Sequence, residues 1–336
     1  MAIFWNTIGI SQLKMNFNLL DYSVKSQDFG EIDLLFGLQK DGQKTINPKF
    51  FYDEEGSRLF EQITNLIEYY PTKKEIEILE EHRNKISLSL PEDSVIIEFG
   101  SGSNQKIKKL INALKNPFEY IPIDISKEFL VKNAKSFAQE YPYIKVTAIC
   151  ADFNEIDLSQ LINNRKKKTI GFFPGSTIGN FTPQDAKKLL KRFAYLLGDN
   201  NFLVIGVDLK KNINIIEKAY NDEKGLTAKF NKNVLNNINN SYGGEFNQDF
   251  FKHIAFFNEE KNRIEMHLKS LKGHSVRLLD KEISFKKGET IHTENSYKYT
   301  VNDFVDLSCS SGYEVSEIFT DKNNFYGLFC LKVKKI

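Results

Sequence analysis

Val95-Ile-Ile-Glu-Phe-Gly100-Ser-Gly102-Ser103 constrains this chain more than any other stretch. Three β-branched apolar residues lead into Glu98 and Phe99, then into two glycines one residue apart. The run is too short for a helix, and its β-branched content suits a buried strand. A charged helical pattern precedes it and another, Lys106–Leu114, follows. Helix, strand, loop and helix in that order make the front half of a doubly wound α/β domain. Glycine at the turn lets the backbone approach a ligand closely, and ligands of such sheets lie beyond the carboxyl ends of the strands. A dinucleotide fingerprint needs a third glycine three residues on. Gln105 holds that place, which argues against a nicotinamide dehydrogenase.

The Glu98–Ser103 form resembles the first motif of S-adenosylmethionine-dependent methyltransferases, whose cofactor carries no diphosphate. The next predicted strand, Tyr120–Asp124, ends in an acid roughly 20 residues past the glycine turn, where an acid takes ribose hydroxyls. A third strand, Ile144–Ile149, runs into Cys150-Ala-Asp152-Phe153. There the acid suits the exocyclic amine of an adenine and the ring suits its face. Each acid taken alone reads equally well as a helix N-cap. Three strand ends in order, each with a ligand group, favour the cofactor reading. A fourth strand, Thr169–Phe173, is followed by Pro174-Gly-Ser-Thr-Ile-Gly-Asn180-Phe181. The Asn180 amide offers donors and an acceptor for an amino-acid head group, with a turn Asn as the even alternative. Thr182-Pro183 starts a helix to about Leu197, and Asn201–Asp208 is a fifth strand.

Composition excludes several classes. Net charge of +2 with both signs interspersed makes no case for nucleic acid or an acidic membrane. No apolar run reaches transmembrane length, and Met1-Ala-Ile-Phe-Trp-Asn lacks the pattern of a signal peptide. A cytoplasmic, monomeric enzyme is expected, with Met15 as an alternative start and the preceding residues as an extension. Cys150, Cys309 and Cys330 are widely spaced, without a CxxC or a His-rich cluster. They read as reduced structural thiols in apolar settings, and no metal is expected.

Before the glycine turn, Phe29–Lys40 reads as a helix. Gly56 breaks the segment Pro48–Phe60, after which Leu59, Phe60, Ile63 and Leu66 form a helical stripe. Pro71 is expected to end that helix, with Thr72 and Glu75 as the capping box of the next. Phe51 and Phe60 read as packing residues. Tyr52 and Tyr69 sit at breaks in periodicity, where a hydroxyl can face a cavity. After Asp208 the pattern changes to helix (Ile213 to Ile238), then strand-like segments at Arg263–Leu268, Ser275–Leu279 and Glu282–Phe285. Val301–Ser311 is a helix closed by Gly312, and Tyr313–Phe319 with Tyr326–Val333 forms a closing hairpin. The expected fold is α/β: a Rossmann-like methyltransferase sheet with a C-terminal β-hairpin and a discontinuous second, substrate-binding domain. The expected division gives 74–208 and 299–336 to the sheet, and 1–73 and 209–298 to the cover.

Several longer motifs carry a sharper resemblance. They are Phe51-Tyr-Asp-Glu-Glu-Gly-Ser-Arg-Leu-Phe60, Glu68-Tyr-Tyr-Pro-Thr72, Glu98–Gly102, Pro174–Asn180, Gly206-Val-Asp-Leu209, Ala219-Tyr-Asn-Asp222 and Ile264-Glu-Met266. Together they resemble the L-histidine Nα-methyltransferase family of ergothioneine biosynthesis, which includes relatives acting on tryptophan-derived amines. The resemblance implies a class I methyltransferase fold and cofactor contacts at Gly100, Lys106, Asp124, Asp152 and Phe153. It implies an amino-acid pocket from Tyr52, Tyr69, Asn180, Tyr220 and Met266, with Glu294 and Ser296 as the acid and hydroxyl that meet an imidazole. Their i, i+2 spacing puts both on one face of an extended segment. Without the resemblance they read as a solvated loop acid and serine. Asn295 and His292 depart from the family pattern and bear on the rim.

The implied reaction is methyl transfer to the α-amine of L-histidine, three times, to the betaine hercynine. Tyr52, Tyr220 and Asn180 are the expected catalytic groups, orienting amine and carboxylate while the ammonium proton leaves to water or to a nearby group. Two alternatives stay open: the same chemistry on another amino acid, and a non-catalytic relative that binds cofactor or amino acid.

Overall fold

A computed structural model describes residues 16–22, 27–154 and 167–335. Met15 and the residues before it lie outside the described ones. The chain begins with β1 (Phe17–Asp21), α1 (Gln27–Leu38) and β2 (Lys44–Thr45), then a 3-10 turn at Pro48–Phe51. Next come α2 (Glu54–Thr64), α3 (Tyr70–Glu81) and α4 (Arg83–Ser89). Strands and helices then alternate through β3 (Val95–Phe99), α5 (Gln105–Ala113), β4 (Glu119–Asp124), α6 (Lys127–Glu140) and β5 (Lys145–Cys150). β6 (Thr169–Phe173), a 3-10 turn at Thr177–Asn180, α7 (Pro183–Leu197) and β7 (Phe202–Asp208) follow. α8 (Ile213–Tyr220), α9 (Leu226–Tyr242), β8 (Phe251–Asn258), β9 (Arg263–Ser270), β10 (His274–Leu278), β11 (Lys281–Phe285) and β12 (Thr290–Tyr297) come next. The chain ends with α10 (Val301–Cys309), β13 (Tyr313–Thr320) and β14 (Tyr326–Val333).

The main sheet has the strand order β1-β5-β4-β3-β6-β7-β14-β13. Its strands are parallel except β14, which runs antiparallel to both neighbours. β3 sits near the middle because both of its faces are apolar. Val95, Ile97 and Phe99 pack on the side covered by α7. Ile96 packs on the side covered by α5 and α6. That is the period-two signature of a strand buried on both faces, each such side chain contributing roughly 1.5–3 kcal/mol. β4 and β5 lie to one side of β3, and β6 and β7 to the other. The strand order therefore reverses between β3 and β6, which opens a crevice at their carboxyl ends.

A second sheet, β2-β12-β9-β8, and the β10–β11 hairpin form a separate apolar cluster with α1, α2, α8 and α9. β12 brings its residues against the 3-10 turn after β6, so this second layer closes over the crevice.

The structure corrects several sequence expectations. The expected cover includes residues 1–73, yet β1 extends the main sheet, with Phe17 paired to Val146 and Asp21 to Cys150. Its alternation is too polar to read as a strand, and pairing with β5 supplies the missing support. Gly56 lies inside the first turn of α2 rather than breaking it. A Cβ there would stand 1.7 Å from the Phe51 carbonyl oxygen, so only glycine lets the turn pack so tightly. α2 ends at Thr64, well before Pro71. Pro71 instead occupies the first turn of α3, where a missing N–H costs nothing. Thr72 is not a cap, and Glu75 points inward. β8 and β12 carried no clear periodicity. Cys309 is exposed, against the expected apolar setting, while Cys150 and Cys330 are buried; all three are free.

Candidate active site

A cavity of about 910 Å³ occupies the crevice. Among the residues expected to act, Tyr52, Tyr69, Gly100, Lys106, Asp124, Asp152, Phe153, Asn180, Tyr220, Glu294 and Ser296 all line it. Met266 does not. It is 1% exposed and pairs directly with Glu294 across β9 and β12. Directly paired residues share a sheet face, so Met266 flanks Glu294 but is covered by the second core.

One end of the cavity belongs to β3, β4 and β5. Gly100 has φ of +75°, which turns the chain sharply after β3 and leaves the turn without a side chain. Burial pushes the Asp124 carboxyl up to about 7, opposed by its hydrogen bond from the Ser126 amide at 2.8 Å. Asp152 accepts from the Asn154 amide at 2.8 Å. The Phe153 ring stands edge-on to Phe99 and Phe173 at 6.4 and 5.7 Å. Glu98, raised to about 7 by burial, takes the Tyr120 hydroxyl beneath the turn. These groups offer what a nucleoside needs: carboxyl acceptors for hydroxyls, an acid and a ring for a base. Lys106 has a protein partner as well. Its ammonium is held by Glu75 at 2.8 Å, and Glu75 also accepts from the Gly175 amide at 2.9 Å. That pair clamps α3 and α5 to the loop after β6.

The other end is aromatic and polar. Tyr52, Tyr69 and Tyr220 are pushed well above the usual phenol range, chiefly by burial, so they stay neutral. Asn180 ends the 3-10 turn after β6. The segment 290–297 is a strand with a bulge between His292 and Glu294. Glu294 and Ser296, two residues apart, thereby face the cavity together. Burial raises Glu294 to about 8, and Lys298 pulls the other way.

Behind this end lies a buried group that sequence reasoning missed. Lys298 is 2% exposed and pairs with Asp208 at 2.7 Å. It also donates to Ser296 Oγ at 2.6 Å and to the Tyr220 hydroxyl at 3.3 Å. Tyr220 donates to Ser296 Oγ at 2.7 Å. The Tyr220 hydroxyl therefore belongs to the Ser296 side of the pocket. Asp208 is further bound by Lys211 and by the Tyr70 hydroxyl at 2.8 Å. Burial pushes Asp208 up, but Lys298 and Lys211 outweigh it and hold the carboxyl below its usual range. Burial lowers Lys211 to about 8. Asp208 and Tyr70 lay within motifs already noted, but nothing in the sequence linked them to Lys298.

Folding also brings together two histidines and an acid. Glu265, His267 and His292 come within 4.8 Å, outside the cavity wall. Glu265 already accepts from Arg263 at 2.8 Å and Asn258 at 3.0 Å, and the two imidazoles stack face to face at 4.6 Å. Asp222, part of another motif, caps α9 through the Leu226 and Thr227 amides at 2.8 Å.

Among the described residues, no helix is long and apolar enough to cross a membrane. Residues 31–333 match the family described as histidine-specific methyltransferase, SAM-dependent. The chain is 36% identical over 290 residues to the histidine N-alpha-methyltransferase of Mycolicibacterium smegmatis, covering 85% of this chain and 89% of that protein. It is 35% identical over 301 residues to the histidine N-alpha-methyltransferase of Mycobacterium tuberculosis, covering 88% and 92%. Ergothioneine biosynthesis protein 1 of Neurospora crassa is 31% identical over 310 residues, covering 87% of this chain and 33% of that protein. With its doubly wound sheet, its closing hairpin and this match over nearly its whole length, the chain belongs to the SAM-dependent, histidine-specific methyltransferase family and has the class I methyltransferase fold.

Proposed function

We propose that the protein moves methyl groups from S-adenosylmethionine to the α-amino nitrogen of L-histidine, three times, to give the trimethyl betaine hercynine. The observation that carries this reading is one cavity holding both kinds of group: strand-end carboxyls Asp124 and Asp152 at one end, Glu294 and Ser296 at the other. The bacterial relatives, both histidine N-alpha-methyltransferases, support the substrate.

In this reading Gly100, Asp124, Asp152 and Phe153 hold the cofactor. When bound, it supplies an activated methyl, its S–C bond breaking as an N–C bond forms on the amine. The chain's own task is orientation. Tyr52 and Asn180 hold the amine and carboxylate of the amino acid, while Glu294 and Ser296 hold its ring. Neutral phenols accept hydrogen bonds from an amine without removing its proton, so the proton leaves to water or to another nearby group. Aromatic walls also tolerate the growing trimethylammonium. The second apolar cluster supports a discontinuous cover from the segments before α3 and after β7, β1 excepted. A small amino acid is the partner in this reading, and the protein acts as a monomer without metal.

Mass spectrometry of L-histidine incubated with the protein and S-adenosylmethionine tests the reading. Products heavier by one, two and three methyl groups are expected. Unchanged histidine, with methylation of another amino acid instead, would overturn the substrate.

A further inference from the structure

Hydrogen counting around Ser296 leads beyond this reading, on which it rests. The Ser296 hydroxyl has two acceptor positions and one hydrogen. Lys298 donates to Ser296 Oγ at 2.6 Å and Tyr220 donates to it at 2.7 Å, which fills both acceptor positions. The remaining hydrogen can only be given, and Ser296 lines the cavity. Lys298 also donates to the Tyr220 oxygen at 3.3 Å, which leaves the phenol hydrogen for Ser296. Lys298 cannot turn away, because Asp208 Oδ2 holds it at 2.7 Å and both are 1–2% exposed.

We propose that Lys298, anchored on Asp208, is a positioning residue that fixes the Ser296 hydroxyl as a donor into the cavity. The site then takes an imidazole only as the neutral ring, with its bare nitrogen toward Ser296 and its N–H toward Glu294. An imidazolium carries two N–H groups, one of which would face the Ser296 hydrogen with no acceptor. An indole, with an N–H and no bare nitrogen, leaves the hydroxyl unmatched. The carboxyl of Glu294, the phenols of Tyr52, Tyr69 and Tyr220, and the Lys298–Asp208–Lys211 group are the ionisable side chains that face or back this ring site. The phenols stay neutral. Burial raises Glu294 to about 8, so near pH 5.5 its carboxyl is protonated and accepts the ring N–H through the carbonyl oxygen.

The test is nitrogen NMR of ring-¹⁵N L-histidine bound to the intact protein with S-adenosylhomocysteine. It is run at about pH 5.5, roughly one unit below the ordinary histidine pKa, where free histidine is mostly imidazolium. The wild type is expected to show one bare and one protonated nitrogen. Lys298→Met should show an imidazolium or mixed tautomers, because the freed hydroxyl can then accept. Asp208 keeps Lys211 and Tyr70 as partners in that variant, and a thermal shift with S-adenosylhomocysteine reports its folding. If it does not fold, Ser296→Ala decides, since it removes the donor and leaves the Lys298–Asp208 pair. An imidazolium on the wild type overturns the proposal, and so does a wild-type ring pattern in either folded variant. Histidine that fails to bind the wild type at all overturns the proposed substrate instead.

Discussion

Glu75 and Lys106 meet at 2.8 Å, with the Glu75 side chain wholly buried and Lys106 at the cavity edge. This geometry makes Lys106 a clamp for the loop after β6 at the wall of the cavity. Removing one partner of a buried pair strands the other and typically costs about 3–5 kcal/mol. Lys106→Met should lower the melting temperature clearly while leaving the S-adenosylmethionine dissociation constant within about threefold. Calorimetry measures both quantities. A large loss of cofactor affinity with unchanged stability would return Lys106 to the cofactor.

Asn180 closes the 3-10 turn between the two ends of the cavity. Losing its amide leaves the amino-acid head group short of partners, at about 1–3 kcal/mol per unmatched polar group. Asn180→Ala should therefore reduce kcat/KM for the amino acid by roughly 10- to 100-fold, with cofactor binding preserved. Near-normal turnover in a steady-state assay would remove Asn180 from the site.

Glu294 reads the ring edge in the proposed complex. A site with buried polar groups rejects ligands that cannot match them. Glu294→Ala should cut kcat/KM for histidine by about 10- to 100-fold and narrow the gap to tryptophan and phenylalanine. A competition assay with the three amino acids shows it. An unchanged preference order would point the imidazole elsewhere.

Acid–base balance gives a stability test. Burial raises Glu294 from 4.5 to about 8, Asp124 from 3.8 to about 7 and Glu98 from 4.5 to about 7. In each case the folded state binds the proton more tightly than the unfolded chain. Their stabilising contribution is full below about pH 4 and is lost as pH rises through 7 to 8. Asp208, held low, works in the opposite sense and gives up its contribution only in acid. The ligand-free protein should lose stability steadily between pH 5 and 8. Glu294→Gln should flatten that slope. Urea melts across this range check it, and identical slopes in variant and wild type would contradict the account.

The sequence by itself determined the sheet and most of the pocket's inventory. β3 to β7 each carry a short apolar run that suits a doubly buried strand; the glycine turn, Asp124 and Asp152 stand at the ends of such runs, and Asn180 closes the turn that follows β6. Local periodicity and a residue's place after a strand are written into neighbouring positions, so they survive without a structure. Glu294 and Ser296 were legible only through the family resemblance, since a bulge and two partner strands are what make 290–297 extended. Tertiary structure alone decided the Lys298–Asp208–Tyr220–Ser296 group, the turning inward of Glu75 and the placing of β1 at the sheet edge. Each depends on contacts between residues some 30 to 130 positions apart, and burial there changes what a charge or hydroxyl can do. Ser296 is an ordinary serine in the chain, and becomes a committed donor only where folding has filled both of its acceptor positions.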